Sequence, residues 1–324
     1  MSESKPTLFL VGTGFIGGTL LTSLLGQDKY EISALSRSED KANQLKKLGV
    51  RPVMGSLDDE VLVEESAKAD IIIHAATADD QPSVKSILKG LSQRSSEKAP
   101  AIYIHTSGTG ILTVPLHPES IYFSDERPEQ FDNLVPDHAP HRDVDLLIKE
   151  AVEKKRLNAR VSIMLPPNIY GRGTGPFNQI SIQIPRWIAR SVKDKRVTQF
   201  GPKRWWNHVH VANLATGYLT LLNHIEKTPS TEQPPLYVFC ETGEHQWGTL
   251  GELIHETLSS KGLVSKEEGP EIKEDAEDNE TETGTQSRAH ADLLRKWGWV
   301  PKEKQTVEES VVEDIEFMIK EGQI

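Results

Sequence analysis

Residues 8–25, LFLVGTGFIGGTLLTSLL, constrain this chain more than any other stretch. An apolar run suited to a buried strand (Leu8, Phe9, Leu10, Val11) meets three glycines, Gly12, Gly14 and Gly17. A helix carrying Leu20, Leu21, Leu24 and Leu25 follows directly. GxGxxG spacing is weak evidence alone, but between a strand and a helix near the N-terminus it marks a dinucleotide-binding turn. Gly12 makes the tight turn, Gly14 lets backbone approach a pyrophosphate, and Gly17 lets helix and strand pack closely. Thr13, Phe15 and Ile16 complete the predicted contact loop, and the helix N-terminus offers unpaired N–H groups to phosphate. The competing reading is a glycine-rich turn that binds nothing.

Strand and helix patterns then alternate. Strands are predicted at 31–36, 50–54, 70–75, 101–106 and 159–165, with helices at 40–48, 59–67, 83–93 and 142–155. This rhythm predicts an α/β fold, a doubly wound Rossmann parallel sheet with helices on both faces. Beyond Pro166 the pattern breaks into prolines, tryptophans and shorter elements, which suits a smaller C-terminal α/β substrate lobe. Val209 and Val211 read as strand, 213–222 and 306–321 as helix. The expected division is a nucleotide-binding domain at 1–165 and a lobe at 166–324 that returns some segments to the main sheet.

Most of the net charge of −11 sits in residues 264–285, where nine acids face only Lys266 and Lys273. With few large apolar residues, that segment reads as a mobile acidic surface loop. The remainder is nearly balanced, so no basic stripe argues for nucleic acid. The single cysteine, Cys240, excludes an intramolecular disulfide framework and fits a reducing compartment. No stretch has membrane-spanning length or the form of a secretory signal. The expectation is a soluble, cytoplasmic protein whose partner is a small-molecule substrate, without nucleic acid or membrane. A homodimer or a protein partner stays open.

The end of the second strand separates NAD from NADP. An acid there would bind the ribose 2′-hydroxyl, whereas an arginine suits a 2′-phosphate. This chain carries Ser36, Arg37 and Ser38, with no acid until Glu39. A guanidinium fork and two hydroxyls favour NADP over NAD; the alternative is a solvated surface arginine.

Taken together, these residues resemble the short-chain dehydrogenase/reductase superfamily, in its extended (epimerase/dehydratase-like) or atypical branch, along nearly the whole chain. By that resemblance Ser56 and Leu57 meet the adenine, although an aspartate is usual at position 56. Ala75, Ala76 and Thr77 lie against the ribose, and the Pro166–Gly171 loop (Pro166, Asn168, Ile169, Tyr170) lines the nicotinamide. Extended members usually carry GxxGxxG, so GxGxxG leans toward an atypical subgroup.

The resemblance implies a tyrosine, a lysine four residues on, and a serine on the preceding strand. The chemistry needs a tunable acid/base, a neighbouring cation and an orienting donor. Ser107 fits the serine, with a turn or cap role as its alternative. No YxxxK occurs: Tyr30, Tyr103, Tyr122, Tyr170, Tyr218 and Tyr237 all lack the lysine. His141 falls at the tyrosine position and Asp145 at the lysine position. A His141–Asp145 pair would give a substitute general acid, with Arg142 as an anion contact; the alternative is an exposed histidine at a helix start. Tyr122 and Tyr170 are further candidates. His208 and His210 alternate along one strand, but without a third ligand they read as pocket or packing residues, and no metal is expected.

Three functions are compatible with these residues. The leading one is an atypical NADP-dependent oxidoreductase acting on a small carbonyl or alcohol between the lobes. The others are a non-catalytic NADP(H)-binding sensor or scaffold, and a nucleotide-sugar epimerase or dehydratase.

Overall fold

Four consecutive apolar side chains make β1 (Thr7–Val11) a strand that water cannot reach from either side, and it sits inside the main sheet. The computed structural model describes residues 4–274 and 283–324. After β1 come α1 (Phe15–Leu25), β2 (Glu31–Ser36), α2 (Glu39–Lys47), β3 (Arg51–Met54), α3 (Glu60–Lys68), β4 (Ile71–His74), α4 (Gln81–Gln93) and β5 (Ala101–Thr106). Next follow β6 (Phe123–Ser124), α5 (Glu129–Leu134), α6 (Arg142–Glu153), β7 (Ala159–Leu165), β8 (Asn168–Tyr170), α7 (Gln183–Asp194), β9 (Thr198–Phe200) and β10 (Trp205–His210). The remainder is α8 (Val211–Lys227), β11 (Tyr237–Phe239), β12 (Gly243–Gln246), α9 (Trp247–Ser260), β13 (Glu271–Lys273), β14 (Ala289–His290), α10 (Asp292–Lys296) and α11 (Val307–Lys320).

Seven strands form one parallel sheet in the order β11-β7-β5-β4-β1-β2-β3. The strand order switches sides between β1 and β4, which opens a crevice at the carboxyl ends of these parallel strands, where α/β sheets take their ligands. Helices α3, α4 and α6 pack side by side, and α1 packs on α8. Right-handed crossovers put such groups on opposite faces. The α3–α4 contact is close because Gly90 has no Cβ; one would fall 2.4 Å from the Val63 carbonyl oxygen.

A second sheet, β12-β10-β8, carries its own core, where Trp187, Trp206 and Trp247 pack with Ile254 and Val311. Trp247 is the hub, with ring centroids 5.4 Å from Trp206 and 6.1 Å from Trp187. A capping box between Thr306 and Glu309 starts α11, which packs on α9 over this core. Two expectations need correction. Val211 begins α8 rather than extending a strand, because the His210 ring accepts the Ala212 N–H and caps the helix. Within the acidic run, Glu271–Lys273 is a strand paired in parallel with β9, and Thr198 Oγ1 donates to Glu271 Oε2 at 3.1 Å. A backbone ladder orders these residues despite their polarity. Residues 275–282 of the expected acidic loop lie outside the described residues.

Candidate active site

The crevice at the sheet's carboxyl edge is a cleft of about 930 Å³, and the glycine turn forms its floor. Gly12 has φ of +99°, and a Cβ there would fall 2.6 Å from Ala76 Cα. At Gly17 a Cβ would strike the Gly12 carbonyl oxygen at 1.9 Å, so this glycine seats α1 against β1 and does not line the cleft. Gly14 differs: nothing lies within 4 Å of its absent Cβ. Helix α1 starts there with no side-chain cap and no acid in its first turn. Its N–H groups and partial positive charge are therefore available to an anion. These features fit a dinucleotide pyrophosphate. Thr13, Phe15 and Ile16 line the same floor, with Ala75, Ala76 and Thr77 beside them.

The turn after β2 holds Ser36, Arg37 and Ser38, all on the cleft wall. The two hydroxyls already serve the turn: Ser36 Oγ donates to the Ser38 carbonyl at 3.0 Å, and Ser38 Oγ accepts the Lys41 N–H as the cap of α2. Arg37 is exposed and has no carboxylate partner among the described residues. Leu57 lines the cleft. Ser56 does not; its N–H and hydroxyl donate to Asp59 and Asp58 at the surface.

On the other side, Pro167 and Ile169 line the cleft whereas Pro166 and Asn168 do not. The Pro166 carbonyl accepts the Thr109 N–H at 3.0 Å, which locks the loop after β7 onto the end of β5. Asn168 is buried with both amide atoms unpartnered among the described residues. Tyr170 sits in the second core and donates to the Gln305 carbonyl at 2.8 Å; burial pushes its hydroxyl up to about 12. Tyr122 is also away from the cleft, stacked on His290 and bonded to Glu244 at 3.3 Å.

Ser107, at the end of β5, donates to Asp145 Oδ2 at 3.0 Å inside the protein. Asp145 is fully buried, and its Oδ1 has no partner among the described residues. Burial raises its carboxyl to about 7, against the Ser107 bond and the nearby charges of His141 and Arg142. His141 precedes α6 in a left-handed conformation, φ 64°, and its Nδ1 lies 2.5 Å from Asp79 Oδ1. That bond holds the Asp79 carboxyl below the usual range. The other ring nitrogen, Nε2, lies 3.3 Å from where a Gly108 Cβ would be, beside Ser107. The expected carboxylate partner of His141 was Asp145; instead Asp79 holds Nδ1, and Asp145 interacts with the ring through charge. Arg142 is no anion contact: it is buried, bonded to Tyr237 at 2.9 Å and to Asp132 at 3.5 Å.

Sequence reasoning missed Lys41, Asp79, Asn178, Ser181, Gln183 and Arg186, which also line the cleft. Lys41 lies one helical turn past Arg37, a signal that was legible. Asp79 and 178–186 reach the site only through tertiary folding. Among the described residues, no group of three His, Cys, Asp or Glu side chains could hold a metal, and no helix is long and apolar enough to cross a membrane. His208 and His245 meet through their Nδ1 atoms at 3.2 Å, and His210 bonds Gln305.

Residues 7–99 match the family described as NADP oxidoreductase coenzyme F420-dependent, and residues 141–234 match the NAD dependent epimerase/dehydratase family. An Acremonium protein, Oxidase ucsJ, is 29% identical over 282 residues, 79% of this chain and 80% of that protein. The UDP-glucose 4-epimerase of Thermotoga maritima, solved with UDP-glucose, aligns at TM-score 0.67 and 14% identity, covering 97% of this chain and 99% of that one. The NAD complex of Thermus thermophilus UDP-glucose 4-epimerase gives 0.66 at 15% identity, with 96% and 99% covered. The fold is that of the extended short-chain dehydrogenase/reductases. Matched segments and fold together support a dehydrogenase/epimerase-like enzyme with a nucleotide cofactor. Within this fold, the departure lies at the start of α6, where His141 and Asp145 stand at the positions at which the resemblance implies a tyrosine and a lysine.

Proposed function

We propose that this chain is an NADP-dependent oxidoreductase acting on a small carbonyl or alcohol, with His141 as its proton-transfer group. The observation that carries the reading is the Asp79–His141 contact. Asp79 lines the cofactor cleft and, as an acceptor, fixes Nδ1 as the protonated nitrogen, with Nε2 toward the Ser107 end. NADPH would supply the hydride to the carbonyl carbon. In that direction the His141 imidazolium gives its Nε2 proton to the carbonyl oxygen and becomes neutral, still donating Nδ1–H to Asp79. In alcohol oxidation the neutral ring accepts the proton. Ser107 would serve as the orienting donor once its hydroxyl is released from Asp145.

The test is NADPH oxidation across a panel of small aldehydes and ketones. Exchanging His141→Ala is expected to lower kcat by about a hundredfold or more with NADPH affinity kept. Unchanged kcat would remove His141 from the chemistry. A wild-type protein that binds NADPH tightly yet turns over no carbonyl would favour the sensor reading, which the absent YxxxK pair and the occupied Ser107 hydroxyl also support.

A further inference from the structure

Residues 171–182 form a strap from the second lobe over α1. A Gly173 Cβ would touch Phe15 and Thr19, and a Gly175 Cβ would fall 2.6 Å from Gly18 Cα. Thr22 Oγ1 donates to the Thr174 carbonyl at 3.0 Å, and Thr174 N–H donates to Thr19 Oγ1 at 3.3 Å. The strap then reaches α2, where Lys41 Nζ lies 5.3 Å from the Phe177 ring centroid. It therefore runs toward the side that carries Arg37. Beyond it, Asn178, Ser181, Gln183 and Arg186 form a wall of the same cleft.

Charge on the cleft walls is lopsided. Arg37, Lys41 and Arg186 line it with one acid, Asp79, and that acid is held by His141. Arg186 is exposed and, like Arg37, has no carboxylate partner among the described residues. Ser181 is only 7% exposed, lines the cleft, and leaves its hydroxyl unpartnered among the described residues. A net-positive cleft with a waiting buried hydroxyl, in a chain of net charge −11, is built for a multiply charged anion. A guanidinium fork recognises phosphate oxygens in pairs.

We infer that Arg186 is a second-lobe specificity residue that closes on the cofactor's 2′-phosphate from across the cleft, opposite Arg37. This rests on the NADP reading above. The phosphate then ties α7 to the nucleotide domain, so NADPH orders the second lobe in a way NADH does not. Ser181 supplies a hydroxyl donor on the same wall.

Fluorescence titrations of NADPH and NADH against wild type, Arg186→Ala and Arg186→Lys test it, with hydrogen exchange of residues 183–194 as a second readout. Arg186→Ala is expected to weaken NADPH about tenfold or more and NADH by less than about twofold, with Arg186→Lys between. NADPH is expected to slow exchange in α7 of wild type but not of Arg186→Ala. Arg186 is exposed, so an unchanged melting temperature of the apo variant is expected and separates binding from folding. A wild type that prefers NADH or treats both alike overturns the NADP reading itself. A wild type that prefers NADPH, with Arg186→Ala keeping that ratio, overturns only the role of Arg186. Equal losses for both cofactors would move Arg186 to the shared pyrophosphate and overturn the 2′-phosphate assignment.

Discussion

Asp145, at the position where the resemblance implies a lysine, is a carboxyl group raised to about 7 because burial opposes its charge. When ionised, it accepts the Ser107 hydroxyl and leaves that hydroxyl nothing to give a substrate. When protonated, it can donate to Ser107 Oγ, which frees the serine hydrogen for the carbonyl oxygen. Both Asp145 and His141 must therefore carry protons for carbonyl reduction, and activity should fall as pH rises through about 7. Asp145→Asn offers a fixed amide donor to Ser107 Oγ at every pH. Its reduction kcat/KM is expected to lose the Asp145 limb near pH 7. An unaltered limb in the Asn variant would show that Asp145 does not gate Ser107. Ser107→Ala should cost about a hundredfold in kcat under conditions where Asp145 is protonated.

The glycine turn separates two jobs that look alike in sequence. Gly17→Ala would force a methyl onto a backbone oxygen that cannot move cheaply, and a loss of about 2 kcal/mol or more is expected in denaturant unfolding. Gly14→Ala meets empty space, so its apo stability should fall by only about 1 kcal/mol, the cost of a poorer helix cap. NADPH affinity should nevertheless drop, since the methyl occupies the approach to the α1 N-terminus. Equal apo stabilities for the two variants would contradict this division of labour. The strands at 101–106 and 159–165 were legible to the residue, because short runs rich in apolar and β-branched side chains recur between helical stretches, as a parallel sheet requires. The glycine turn was legible too, since Gly12 and Gly17 each meet a local backbone demand. Asp79 was not: it reaches His141 across 62 positions, whereas Asp145 shares the helix and drew the expectation. The strap and Arg186 were hidden too, because no periodicity in 171–186 announces which helix a loop will cross.

Both lobes bury a histidine pair joined through Nδ1 atoms, His74–His105 at 3.1 Å between β4 and β5 and His208–His245 at 3.2 Å between β10 and β12. One ring donates and the other accepts, so neither pair tolerates full protonation. Burial lowers His74 and His208 to about 4, His245 to about 3, and His105 well below its usual value. These folded values are depressed, so the unfolded chain binds more protons below about 6.5, and stability falls with falling pH. Burial also raises Asp125, Asp145 and Asp314 to about 7. For these acids the folded state binds more protons, so their contribution is full below about 4 and lost as pH rises toward 7. Between about 4.5 and 6.5 these depressed imidazoles and raised carboxyls oppose one another, so the carboxyls offset part of the decline. Below about 4 the carboxyls are protonated in both states and stop compensating, while His245 and His105 still resist charging. Denaturant unfolding at a series of pH values should show a shallow decline to about pH 4.5 and a steep one below pH 4. Asp145→Asn removes one opposing group, so its decline between pH 6.5 and 4.5 should steepen by about one further proton while its stability at pH 8 rises above wild type. A variant whose profile stays parallel to wild type across that window would mean that Asp145 is ionised in the folded protein throughout.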